Sequence, residues 1–208
     1  IQSKRQSMKT QKIWDAESYD SERKRLVPCF DSFYGAVADI LTQTTNSELK
    51  VLDLGAGTGI LSEKVCSSAK VSSLVLVDES SEMLEKSKVR LARWKPIAHI
   101  QKLTDPIPGE NFDVITSALA IHHLPDLEKI NLYKRILKAL KPTGIFINAE
   151  QILGDTPWLQ DLNEKTHLKN SISLGSSKAE IEGAIRRMQF DKCSTVDSQL
   201  SQLKDLGY

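Results

Sequence analysis

This 208-residue chain has only three cysteines, at positions 29, 66 and 193. They are few, odd in number and without metal-ligand spacing, which reads as reduced thiols in a cytoplasmic compartment and suggests no zinc site. A surplus of charge is also missing. Lysine plus arginine (28) nearly cancels aspartate plus glutamate (27), unlike the basic excess of a dedicated nucleic-acid binder. No apolar stretch reaches the roughly 18 residues that a membrane span needs, and the N-terminus lacks the apolar core of a signal peptide. What remains, a chain 40% hydrophobic, is large enough for one α/β domain with its own core.

The densest information lies in Val51-Leu-Asp-Leu-Gly-Ala-Gly-Thr-Gly59, where a buried apolar run turns into a loop with almost no side chains. Glycines 55, 57 and 59 let the backbone take positive φ and let a ligand approach where a Cβ would collide. The helix that follows offers unpaired N–H groups and a positive dipole end. A dinucleotide fingerprint would need its third glycine at 60, but 60 is isoleucine, so pyrophosphate binding is disfavoured. A second apolar run, Leu74 to Val77, ends in Asp78, placed to accept hydrogen bonds from a ribose diol. NAD and S-adenosylmethionine both carry that diol. Asp53 discriminates between them, because an acid there repels phosphate and suits the ammonium of an amino-acid moiety.

The chain opens with Lys4, Arg5, Lys9 and Lys12 and no acid before Asp15, read as a basic leader over 1–13 with RNA or an acidic partner as its alternative use. Residues 14–208 read as a single domain. Apolar positions 30, 33, 34, 37 and 41 predict a helix that packs on a sheet. Strands are expected at Lys50–Leu54, Leu74–Val77, Ala98–Leu103, Phe112–Ser117 and Gly144–Glu150. Helices are expected at Ile60–Ser67, Glu82–Arg93 and Leu127–Leu140, the last with Asp126 as its N-cap and stopped by Lys141-Pro-Thr-Gly144. This alternation predicts an α/β fold, a mainly parallel sheet with helices on both faces. Residues 153–197 change character, with helices at Trp158–Leu168 and Ala179–Met188 joined by a turn at Ser171–Ser177, and read as a helical insertion or a lid.

The glycine loop and Asp78 resemble the class I S-adenosylmethionine-dependent methyltransferases. Tyr19-Asp-x-x-Arg23, Val27-Pro-Cys-Phe-Asp-x-Phe-Tyr-Gly35, Ser117-Ala-Leu-Ala-Ile-His-His-Leu124 and Gly144-Ile-Phe-Ile-Asn-Ala149 look like a group of small bacterial and archaeal members. That group is related to the ubiquinone/menaquinone C-methyltransferases and to the enzyme that makes carboxy-S-adenosylmethionine for tRNA wobble uridine. The resemblance implies a Rossmann-like methyltransferase fold. Members of the group continue after a helix like Ser198–Leu206 into an antiparallel hairpin, whereas this sequence stops at Gly207-Tyr208. The expectation is therefore a sheet without that hairpin, from a chain trimmed or excised from a longer polypeptide.

With S-adenosylmethionine as cofactor, Asp53, Gly55, Ala56, Gly57 and Gly59 are expected to hold the methionine part. Asp78 and Glu79 belong to the ribose, and Met83 to the adenine. At the third strand's end, Asp105 would take the adenine amino group if the loop is short, and Leu103 would give backbone contact if it is not. Tyr19 and Phe30 could cover the sulfonium, and Arg23 or Arg25 could neutralise a carboxylate. Ser117 through His123 should face the methyl group. No acid stands at Ser117 of the kind that holds magnesium in catechol-type enzymes, which disfavours metal dependence. His122 or His123 could accept a proton near neutrality, or fix the loop by hydrogen bonding.

No Asn/Asp-Pro-Pro-aromatic motif is present, which disfavours adenine and cytosine in DNA as acceptors. The leading expectation is methyl transfer to a small molecule. The alternatives are wobble-uridine modification or synthesis of the carboxylated cofactor, and a module that binds S-adenosylmethionine without chemistry.

Overall fold

Residues 51–54 and 74–77 are nearly all apolar, as strands covered on both faces must be, and they form the middle of one sheet. The computed structural model describes residues 17–44 and 47–208; the basic leader and the expected domain start at 14 lie outside them. The strands are β1 (Leu49–Leu54), β2 (Val71–Asp78), β3 (Ile97–Ile100), β4 (Phe112–Ala118) and β5 (Leu140–Ala149). They pair in parallel in the order β3-β2-β1-β4-β5. The helices are α1 (Tyr19–Leu26), α2 (Phe30–Thr44), α3 (Ile60–Ser68), α4 (Ser81–Arg90), α5 (Asp126–Ala139), α6 (Pro157–Ser173), α7 (Lys178–Met188) and α8 (Val196–Leu206). This is the parallel α/β sheet that the alternation of elements predicts, in the Rossmann-like form that the resemblance implies.

The period of two sorts the core. Val51, Leu74, Leu76 and Val114 pack with Tyr34, Val37 and Leu41 of α2, Val65 of α3 and Leu84 of α4 on one face. Leu52, Leu54, Val75, Val77 and Ile115 pack with Leu132, Tyr133 and Ile136 of α5 on the other. Burying such side chains contributes about 1.5 to 3 kcal/mol each, so both layers are held to the sheet by the same strands that end at the glycine loop.

Several boundaries differ from the sequence expectation for local reasons. Pro125 (φ −59°, ψ 154°) is the N-cap of α5, so Asp126 is the first helical residue and not the cap. β5 starts at Leu140, not Gly144, and carries Pro142 through a register irregularity opposite Phe112 and Val114, where a strand tolerates the missing N–H. The expected helix Glu82–Arg93 ends at Arg90 and passes into a short 3-10 turn, Ala92–Trp94. α6 absorbs Ser171 and Ser173, and Ser177 caps α7 in a capping box with Glu180.

A buried ammonium fastens the linker between α7 and α8. Lys129 Nζ lies 3.0 Å from Asp126 Oδ1 and 2.6 Å from Ser194 Oγ, and also donates to the Lys192 carbonyl. A charge with three oxygen partners keeps in the interior what water would have supplied. The Lys192 N–H in turn donates to the His122 carbonyl at 2.7 Å, so the linker is pinned at both the α5 face and the end of β4.

Gly59 caps α3 with φ +82°, and a Cβ there would stand 2.9 Å from Leu91 Cδ1 and 3.1 Å from Ser87 Cβ. Gly59→Ala is expected to lower stability by about 1 to 3 kcal/mol, measured as a fall in the urea midpoint with unchanged slope.

Candidate active site

The glycine loop leaves β1 at its carboxyl end, where the order of the sheet reverses between β1 and β4, the place where open parallel sheets receive ligands. Gly55, Gly57 and Gly59 all have positive φ, but they are not equivalent. A Cβ on Gly55 would stand 2.3 Å from Ala120 Cβ, a contact set by packing. Around Gly57, no protein atom lies within 4 Å of a Cβ position. That clear side opens on a cleft of about 240 Å³ walled also by Tyr19, Gly55, Asp78, Glu79, Met83 and Leu103. A smaller, deeper hollow continues past Tyr19 and Gly57 to Asp53, Ala56 and Tyr34.

Two carboxylates bracket this space. Asp78 accepts from Gly57 N through Oδ2 and from Ser80 N through Oδ1, both at 2.8 Å; burial raises its pKa while those bonds pull it down. A carboxylate has about four acceptor sites, so both oxygens keep capacity toward the cleft. Asp53 is fully buried and accepts from Ser62 Oγ at 2.5 Å and Thr116 Oγ1 at 3.2 Å. Burial pushes its carboxyl up to about 6, against the lowering effect of the two hydroxyls. Helix α1 is tied over the loop by Asp20, which accepts from Thr58 Oγ1 at 2.6 Å and pairs with Arg90; this sets Tyr19 above both hollows.

Beyond the end of β4 lies a second cavity of about 370 Å³, bounded by residues of α1, α6, α7 and the loop before α2. Leu119 and His123 line both it and the cleft. Leu119 has φ +52°, an uncommon conformation for a residue with a Cβ, and its N–H donates to Ala149 O at 2.9 Å. Next to it, His122 is buried with Nδ1 2.5 Å from Glu150 Oε1, and its backbone N–H donates to Glu150 Oε2 at 3.0 Å. His123 is more open, with Nδ1 3.1 Å from Asp191 Oδ1.

Among the residues singled out from sequence, Tyr19, Gly55, Gly57, Asp78, Glu79, Met83, Leu103 and His123 meet around the cleft, and Asp53 and Ala56 around its deep end. His122 belongs to the outer cavity alone. Five others stand elsewhere. Ser117 is interior, its hydroxyl donating to Leu54 O at 2.8 Å to join β1 and β4. Asp105 turns back to accept from Lys102 N at 2.9 Å, closing its own turn. Phe30 packs against the α2 core, its ring 4.8 Å from that of Tyr34. Arg25 pairs with Glu180 of α7, and Gly59 serves helix packing. Glu150 and Asp191 carry no signal as site residues in the sequence, since each acquires its role from a histidine distant in sequence; Leu119 and Asp20 stand within the quoted motifs, which assign them no individual role.

A family profile described as a methyltransferase domain matches residues 51–144, the span from the glycine loop to β5. Over that span the comparisons support a class I S-adenosylmethionine-dependent methyltransferase domain. It is 24% identical over 163 residues to a carboxy-S-adenosyl-L-methionine synthase of Shewanella denitrificans, covering 76% of this chain and 67% of the relative. It is 32% identical over 121 residues to a demethylmenaquinone methyltransferase of Leptospira interrogans, covering 55% of this chain and 48% of that one. In structure it is similar to YcgJ of Bacillus subtilis, with a TM-score of 0.59 at 20% identity, covering 81% of this chain and 66% of that one. The chain thus spans between about half and two thirds of the length of these relatives.

The cofactor of these methyltransferases is S-adenosylmethionine, and the cleft suits it: bare backbone at Gly57 and carboxylates at two points fit a ligand carrying an ammonium and a diol. Gly57→Ala is expected to fold with a lowered melting temperature, since the added methyl meets no protein atom beyond its chain neighbours but sits at φ +54°, a conformation that costs a residue with a Cβ about 1 to 2 kcal/mol. Its affinity for S-adenosylmethionine should fall at least about tenfold, as the methyl fills ligand space. Calorimetric titration alongside a melting curve checks both halves of that expectation.

Proposed function

We propose that the chain transfers a methyl group from S-adenosylmethionine to a small-molecule acceptor held in the outer cavity. The carrying observation is the shared wall of Leu119 and His123, which puts the two spaces side by side. S-adenosylmethionine supplies a methyl carbon activated by a positively charged sulfur. What remains for the protein is alignment and exclusion of water.

Each wall has a task in this reading. Asp53 offers its carboxylate to the ammonium at the closed end, Asp78 and Glu79 face the ribose, and Met83 and Leu103 give the adenine apolar surfaces. Tyr19 presents a ring to the sulfonium. His122, gripped by Glu150, acts as a positioning residue. His123 touches the acceptor and orients its reacting atom. Residues 153–197 close the outer cavity from above as a lid, with His167, Gln160 and Asn163 supplying polar contacts there. A small-molecule acceptor, reached by a free-standing enzyme or by one embedded in a biosynthetic assembly, accords with the near-zero net charge.

Arg23 and Arg187 line the outer cavity and favour a second reading, synthesis of a carboxylated cofactor from a small carboxylate bound beside them. Mass analysis of the cofactor after incubation separates the two readings, because only the second adds mass to it.

The test is calorimetric titration with S-adenosylmethionine, then a screen of small acceptors that reads S-adenosylhomocysteine formation. His123→Ala should slow turnover on a competent acceptor about a hundredfold while cofactor affinity stays within about twofold; an unchanged rate would remove His123 from the reaction. The cofactor's affinity should also weaken as the pH is lowered through about 6, because Asp53 then takes up its proton and ceases to attract the ammonium. Asp53→Asn should flatten that profile and weaken binding at neutral pH by about 1.5 to 3 kcal/mol.

A further inference from the structure

The 3-10 turn Ile121–His123 after β4 sets two consecutive imidazoles against a carboxylate that arrives from the linker after α7. His122 Nε2 lies 3.5 Å and His123 Nδ1 3.1 Å from the same oxygen, Asp191 Oδ1. Ligand atoms of the three residues all fall within 4.8 Å of one another. Bonds of about 2.1 Å to one ion hold neighbouring ligand atoms about 3.0 to 3.4 Å apart, for octahedral and tetrahedral angles. The two separations to Asp191 Oδ1 already lie close to that range, and the two imidazoles need only a side-chain adjustment to join it.

Its surroundings are those of a built site. With Nδ1 donating to Glu150 Oε1, 2.5 Å away, His122 presents an Nε2 lone pair 3.5 Å from Asp191 Oδ1. Carboxylates orient metal-ligating histidines in this way. A lone pair and a carboxylate oxygen so placed repel each other unless a cation, either a proton or a metal ion, joins them. Asp191 is fixed from behind, since its neighbour Lys192 donates to His122 O and is held through its carbonyl by the buried Lys129. The side chains of His122 and Asp191 are 6% and 9% exposed, and that of His123 is 40% exposed.

We propose that His122, His123 and Asp191 bind one divalent transition-metal ion at the wall of the outer cavity. Two imidazoles and one carboxylate suit Zn²⁺, Fe²⁺ or Co²⁺, whereas Mg²⁺ and Ca²⁺ prefer oxygen donors alone. All three residues line the outer cavity, so coordination positions not filled by protein open into it. Resting on the methyl-transfer reading above, the acceptor class follows: a molecule with an ionisable oxygen, a phenol, enol or hydroxy acid. Its oxygen binds the ion and releases its proton to solvent, and the ion fixes the acceptor beside His123.

The experiment strips the 208-residue chain with a chelator and titrates it with Co²⁺ and then Zn²⁺, without cofactor. One equivalent of Co²⁺ should bind with visible d–d absorption and be displaced by Zn²⁺. His123→Ala and the near-isosteric Asp191→Asn should each weaken Co²⁺ binding at least about tenfold, whereas His167→Ala, in the same cavity, should not. Far-UV circular dichroism confirms that each variant is folded, and Asp191→Glu, which keeps a carboxylate, should retain binding. Absence of a stoichiometric Co²⁺ signal, or binding indifferent to both variants, overturns the proposal and leaves a proton as the cation between the groups. S-adenosylmethionine is titrated separately into metal-free protein, so loss of the methyl-donor reading and loss of the metal site register in different measurements.

Discussion

One carboxylate, Asp78, fastens the two loops that leave the central strands. Its oxygens receive the N–H of Gly57 from the loop after β1 and that of Ser80 at the cap of α4. Parallel strands end with peptide groups that have no further partner in the ladder, and a side-chain-poor loop has nothing of its own to offer them. The acid at the tip of β2 therefore ties the bend to the cap of α4. It draws Gly57 toward α4 and keeps its open side toward the cleft. The cleft is shaped by that arrangement, while Asp20 of α1 sets Tyr19 above it.

The fold was legible because its signals are local and mutually consistent. Apolar runs with period two, interrupted by helical spacing and by glycine, describe β1, β2, α2 and α5 without reference to anything distant. Two of the misplaced boundaries share a cause: tertiary context at a proline. Pro125 took the cap position from Asp126, and Pro142 lies within β5 because a register irregularity accommodates it. Sequence punctuation marks where a chain prefers to turn, and a sheet with spare register can overrule it.

The candidate site was legible in part. Residues placed by backbone geometry at or just after strand ends, such as Gly57 and Asp78, with Met83 in the first turn of α4, came together as the topology requires. Residues selected for chemical type alone fared worse. Arg25, Asp105 and Phe30 have suitable functional groups, but each found a nearer partner: Glu180, the Lys102 N–H and the ring of Tyr34. Asp191 shows the converse. Nothing around it in the sequence marks it, and it matters because the linker after α7 returns to the end of β4, a long-range closure that periodicity does not encode.

That linker has a cost for how the protein can change. Lys129 holds it on the α5 side and His122 on the β4 side, so a substitution in the back layer reaches the front through covalent chain and two hydrogen bonds. Natural variation that loosens the interior around α5 would alter the geometry of the histidine pair as well, and drift in one layer has to be matched by drift in the other. Changes on the exposed positions of α6 and α7 are free of that coupling, whereas Asp191 and Ser194 are bound to the interior through their neighbours.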